Sequence, residues 1–565
     1  MTVMMLGGDG RSFEDGTNFR RPTKQASYEL CNHAKAYLEA GQYASGFDFL
    51  YNLLAAGTSI STPAQPYLGF IAPPAYISLA SSLIAWPKVT TTTRSREAKK
   101  GSDAALRYLR CIHTTIDGPA YSTIRKAFAF PEEQARRRAP GYRSAAASQS
   151  PEPGGDVDRI AGEAANAESL WTRAEDFWQL VGWALNCSIS HKKRWHRWRL
   201  WLQMILDFLE ADWEFCIKRS KGADENAVAV LQESLIWHYV VGKAGSANRG
   251  ARRHIVRAIL SVATPELLKD FPEIWKDETT GPPRKKQNDT HAGKVDFETG
   301  EMGDYDSDAE MEDAPDEDSK DSASEGEDNE DSMRNIDDAV RHLGGADAVD
   351  LRQRLIALLA EVATNLPTEF TTLSDLFDNI LEDFNQLPTM TFSTLLSTTK
   401  LPGLYHVAFC NNLLLPLVSG SLPDYFRYGP TQQHFEDTLL KLKAANQSFA
   451  TNAKISIVLE QTLMYMVSKD ALTPTDALRT AMEAGIEARE SVFGTGRGKR
   501  GNAEEETQAR ELMQACSERM LGMLDILEMT AAKAPQPLQE RAPFPSFGSG
   551  SSLSPAPESE TEIDE

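Results

Sequence analysis

The sequence predicts an all-α protein: helical-repeat (α-solenoid-like) or irregular helical-bundle modules, with long disordered linkers and tails. Three observations predict this. Apolar residues recur at helical spacing through most of the chain, and no segment alternates as a strand would. Prolines at 367, 388, 402, 416, 423, 430 and 474 punctuate segments of helix length. Charge is partitioned between long apolar-patterned blocks and strips that hold almost no large apolar side chain.

The partition explains the net charge. Of the total of −22, residues 304–331 hold −14 (fifteen acids against Lys320) and the tail 557–565 holds −5, which leaves −3 for everything else. The folded part is therefore close to neutral, and the acidity belongs to a linker and a tail. With 565 residues, 41% of them hydrophobic, the chain can build several cores. Its six cysteines are scattered without a CxxC pair, so neither a zinc site nor a disulfide framework is expected. The opening MTVMMLGGDGRSFEDG lacks the apolar run of a signal peptide. One apolar stretch, residues 67–86, is broken by Pro73-Pro74, and the helix that follows is too short to cross a bilayer. A soluble intracellular protein without a membrane contact is the expectation.

Taken in order, residues 1–24 are Gly-rich, polar and aperiodic, and read as disordered. Residues 25–135 read as a helical-repeat module. Leu30, Ala34 and Tyr37 share one helix face, Gly41 makes the turn, and Tyr43, Phe47, Leu50 and Leu54 form the returning face. The order Leu30, Ala34, Tyr37, Gly41, Tyr43 resembles one tetratricopeptide repeat, with Gly46 where that family has alanine and no proline at the end of the unit. The resemblance spans a single unit. It implies a stacked helix pair that needs neighbours to bury its face. Those neighbours are PPAYISLASSLIAW, opened by Pro74, and SDAALRYLRCIHTTI, capped by Ser102 or Asp103, with a polar loop between them.

Residues 136–165, rich in Ser, Pro, Gly and Arg, read as a flexible insertion. Residues 166–276 form a Trp-rich helical module that holds nine of the ten tryptophans. Its stripes are Trp171–Ala174–Trp178–Val181–Leu185, Trp198–Leu202–Ile205–Leu209–Trp213, Leu231 to Val240, and Ile255 to Leu260. A basic-then-acidic disordered linker is expected over 277–335, a C-terminal helical module over 336–533, and a disordered acidic tail over 534–565.

The stretch HKKRWHRWRLW, residues 191–201, interleaves basic and aromatic side chains. Lys192, Lys193, Arg194 and Arg197, with Arg252 and Arg253 of RRHIVR, are the candidate nucleic-acid contacts, because cations meet phosphates and rings stack on bases. The competing reading places Trp198 in the core and leaves the cations as a solvated face. Arg284, Lys285 and Lys286 form a candidate nuclear-import address. Ser307, Ser322 and Ser324 each have an acid three residues on, the pattern of acid-directed phosphorylation. Neither HExxH nor GxSxG occurs, so no catalytic residue, cofactor or metal ligand is assigned and the chain is read as non-enzymatic. The functional expectation is a nuclear scaffold or accessory subunit of a chromatin-associated or genome-maintenance complex. Its partners would be complex subunits, histones or other basic proteins, with weak nucleic-acid contact. The alternative is a ribosome-assembly or RNA-processing scaffold.

Overall fold

The computed structural model describes residues 20–131, 158–222, 226–242, 248–281, 336–419, 422–423, 425–492 and 503–531. Over these residues the fold is all-α. The first helix pair is α1 (Tyr28–Glu39) and α2 (Tyr43–Ala55). Gly41 turns the chain between them at φ +76°, a left-handed backbone that glycine adopts without a steric cost. α1 buries Cys31, Ala34 and Leu38, one position round from the face implied by the repeat resemblance. α2 buries Phe47, Leu50 and Leu54, as its spacing predicts. Gly46 has a local cause: a Cβ there would lie 2.6 Å from Leu38 Cδ2, so the two helices meet through bare backbone.

Residues 20–24, within the stretch read as disordered, have a defined structure. Strands β1 (Thr23–Gln25) and β2 (Gly69–Ile71) pair in parallel with Thr23 opposite Gly69. Three residues are too few for alternation to register in a sequence. Next come α3 (Pro74–Ala85), α4 (Arg96–Thr115) and α5 (Tyr121–Ala127). α4 starts earlier than expected, at Ser95, whose hydroxyl accepts from the Ala98 N–H at 3.3 Å. The run REAKK is its solvated first turn, and Ser102 is buried mid-helix. Residues 158–165, read as part of a flexible insertion, bury Ile160 and Ala164.

The Trp-rich block comprises α6 (Leu170–Arg173), α7 (Phe177–Ser190), α8 (Lys192–Ser220), α9 (Ala227–Gln232), α10 (Leu235–Val241), α11 (Arg249–Ile259) and α12 (Pro265–Asp270). Two predicted stripes are each divided by a cap. Asp176 accepts from Gln179 N at 2.8 Å to open α7, and Ser234 accepts from Trp237 N at 3.3 Å to open α10. The 29-residue α8 packs against α3, α4, α7, α9 and α10. Trp198, Trp201, Leu202, Ile205, Leu209 and Trp213 are all buried, so Trp198 and Trp213 are core residues. Trp201 Nε1 donates to Ser81 Oγ of α3 at 3.1 Å.

The longer helices that follow are α13 (Ile336–His342), α14 (Ala346–Asn365), α15 (Leu373–Phe384), α16 (Thr389–Ser397), α17 (Gly403–Leu414), α18 (Phe449–Ser468), α19 (Asp476–Glu490) and α20 (Ala503–Thr530), with a short helical segment, Gln432–His434 and Phe435–Leu439, between α17 and α18. α14 packs on α8 through Arg354, whose guanidinium reaches Asp207 at 2.7 Å and both oxygens of Glu210 at 2.8 and 2.7 Å. Arg352, fully buried, donates to the carbonyls of Ile259 (3.0 Å), Ser261 (2.6 Å) and Leu343 (2.6 Å). One connected apolar core, from Ala26 to Leu524, runs through the helices on both sides of the acidic strip. Among the described residues no helix is long and apolar enough to cross a membrane.

Candidate interaction surfaces

The basic stretch at the start of α8 faces several ways at once. Arg194 is buried: it is ion-paired with Glu278 and donates to the Ala85 carbonyl at 2.7 Å and to Thr91 Oγ1 at 3.2 Å. It cannot reach a phosphate, which corrects its place among the candidate contacts. Glu278, within the stretch read as linker, is also buried, and it accepts from Ile274 N at 2.9 Å, Trp275 N at 3.4 Å and Trp198 Nε1 at 3.3 Å. Burial pushes its carboxyl above the usual carboxylate range against the pull of Arg194.

The other cations are divided among neighbours. Arg197 pairs with Asp103 of α4 at 2.7 Å, and Arg199 pairs with Asp347 of α14. Arg249 and Arg253 share Glu382 of α15 at 2.7 and 2.6 Å. Lys192 donates to the Ser188 carbonyl. Lys193 is exposed and Arg252 half-buried. The helix-face arginines are thus turned toward acids of other helices, and much of the charge expected of a basic ridge is neutralised within the molecule. Arg284, Lys285, Lys286, Ser307, Ser322 and Ser324 lie outside the described residues.

A cleft that the sequence does not announce lies where α5, α7, α10 and α11 converge, with a volume of about 790 Å³. Its floor is aromatic. Phe177 and Tyr239 stack with ring centroids 4.3 Å apart and an interplanar angle of 11°. Trp178 Nε1 donates to the Tyr239 carbonyl at 2.9 Å, and the Tyr239 hydroxyl donates to the Phe128 carbonyl at 2.8 Å. These bonds satisfy the polar ends of the rings and fix them in place.

At the rim, His254 Nε2 lies 3.6 Å from Asp176 Oδ2. Burial opposes ionisation of Asp176, but His254 and the backbone donors of Gln179 and Trp178 outweigh it and hold the carboxyl below its ordinary value. His238, on the same cleft, is pushed down by burial and then by Arg125. Among the described residues the lining holds no serine, threonine or cysteine that the His254–Asp176 pair could activate. Nor is any group of three or more His, Cys, Asp or Glu residues placed to hold a metal ion among them. What the arrangement can do chemically is receive apolar side chains on a rigid aromatic floor beside a mixed-charge rim. Comparison with known protein families, curated proteins and solved structures finds no match.

Proposed function

We propose that this chain is a non-enzymatic nuclear scaffold, an accessory subunit of a chromatin-associated or genome-maintenance complex that acts through protein–protein contacts. The observation that carries the reading is the aromatic cleft at α5, α7, α10 and α11. It is a preformed concave surface with an apolar floor and no serine, threonine or cysteine among its described lining residues. Such a floor receives anchor side chains of a partner, because desolvating aromatic surface dominates the energetics of protein contacts.

The nuclear and chromatin part of the reading is supported by charge segregation in the sequence: a basic cluster at Arg284–Lys286 followed by an acidic strip suited to histone-like partners. Ribosome assembly or RNA processing is the alternative, since acidic strips and basic loops suit it too, but Arg197, Arg199 and Arg253 lend it little because they pair with Asp103, Asp347 and Glu382. The test is to purify the tagged chain from nuclear extract and identify what accompanies it, in parallel with Phe177→Ala. Chromatin-complex subunits that are lost with the variant are the expected result. A ribosomal or RNA-processing set retained by the variant would overturn the proposal.

A further inference from the structure

A second cleft, of about 450 Å³, lies between the C-terminal end of α2, the loop after it and the last turns of α4. Arg21, Arg107 and Arg110 line it, with the hydroxyls of Thr58, Ser61 and Thr114, and no acid is among its lining residues. Arg21 is 1% exposed. Its terminal nitrogens donate to the carbonyls of Leu54 and Ala56 at the end of α2, and its Nε has no hydrogen-bond partner. Arg107 pairs with Asp48 outside the lining and lies over the Tyr51 ring, 5.3 Å from its centroid. Arg110 is exposed and makes no ion pair among the described residues.

Holding the end of α2 accounts for two bonds of Arg21. It accounts for neither Arg110 nor a lining of three cations without an anion, on a body whose net charge outside the strip and tail is only −3. We propose that this cleft binds a phosphorylated serine or threonine carried in an acidic peptide. Arg21, buried with both terminal nitrogens on carbonyls, adds positive charge beneath the cleft and no direct contact, whereas the exposed guanidinium forks of Arg107 and Arg110 match the oxygens of a phosphomonoester bidentately. Its charge of about −1.5 to −2 answers the local excess better than a single carboxylate does. Flanking acids add weaker attraction at the rim. Nucleic acid fits less well: Arg107 covers the one aromatic ring of the lining, which leaves no platform for a base to stack on.

The experiment uses the full chain, purified unphosphorylated, and fluorescence anisotropy at about 0.15 M ionic strength. The probe is a labelled peptide of residues 318–329, made with and without phosphate on Ser322. The phosphorylated form should bind about tenfold tighter or more, as expected for charge-assisted forks. Arg110→Gln should remove that preference with an unchanged melting curve, because the side chain is exposed, and Arg110→Lys should restore part of it. Equal affinity for both peptides would overturn the proposal, as would an Arg110→Gln variant that keeps the preference. Inorganic phosphate binding as tightly as the phosphopeptide would assign the cleft to the free anion instead. An oligonucleotide of equal charge that binds tighter and depends on Arg110 would make it a nucleic-acid site.

Discussion

Replacing Glu278 with alanine removes one oxygen pair that serves four donors: Arg194, Trp198 Nε1 and the backbone N–H groups of Ile274 and Trp275. Breaking a buried ion pair from one side costs about 3–5 kcal/mol, because the surviving charge stays desolvated. Each buried donor left without an acceptor costs about 1–3 kcal/mol, and these terms overlap because the donors share one carboxylate. Burial itself disfavours the ionised carboxylate, which trims the total. A loss of about 4 kcal/mol is expected in the urea transition that tryptophan fluorescence reports, with an unchanged slope. Glu278→Gln should lose less, since its side-chain oxygen still accepts from the backbone. Arg194→Met with Glu278→Gln should recover part of the loss by removing both charges. A Glu278→Ala protein within about 1 kcal/mol of the parent would refute the reasoning, since it would mean that water or another acceptor already serves these donors.

Two further outcomes follow from a buried cation and a buried neutral imidazole. Arg352→Met fills a similar volume but leaves the carbonyls of Ile259, Ser261 and Leu343 without their donor. The expected loss is about 3 kcal/mol in the same titration, and an unchanged midpoint would show that those carbonyls find other partners. His406 is held down to about 4 by burial, whereas an unfolded imidazole titrates near 6.5. The unfolded chain therefore binds the proton first, and stability falls as pH drops from about 6.5 towards 4. His406→Leu should narrow its stability deficit, or widen its lead, between pH 8 and pH 5; parallel curves for parent and variant would remove the histidine from the account.

Helical periodicity carried most of the fold, because Trp198, Leu202, Ile205, Leu209 and Trp213 fall every three or four residues on one buried stripe. Caps were less legible: Asp176 and Ser234 interrupt apolar stripes without a proline or glycine to mark the break. The interaction surfaces were harder still. Arg194 and Glu278 are 84 residues apart, and nothing local distinguishes this glutamate from the polar stretch around it. The acids that neutralise Arg197, Arg199 and Arg253 stand on other helices, so a linear reading counts the bases and cannot subtract their partners. Arg107 and Arg110 could have been found from the face Arg96, Lys100, Asp103, Arg107, Arg110. That face disappears when the first turns of α4 are taken for a loop.

The same long-range pairs bear on what joins the helices before the acidic strip to those after it. Residues 282–335 connect them covalently, but the connection is not needed to hold them if the interface is strong enough alone. That interface contains the Arg354 fork on Asp207 and Glu210 and the three carbonyls on Arg352. Arg249 and Arg253 on Glu382 add exposed pairs worth little at physiological salt. Apolar packing between α8 and α14, and between α11 and α15, lies within the one connected core. Burial of that kind is not screened by salt, in contrast to the rim pairs. A protease site placed between residues 288 and 300 and cut after purification should therefore yield two fragments that elute together in size exclusion, at about 0.15 M salt and equally at about 1 M. Adding Arg352→Met and Arg354→Met should release them. Fragments that separate without those substitutions at low salt would mean that the covalent link, and not the core, keeps the two sets of helices in register.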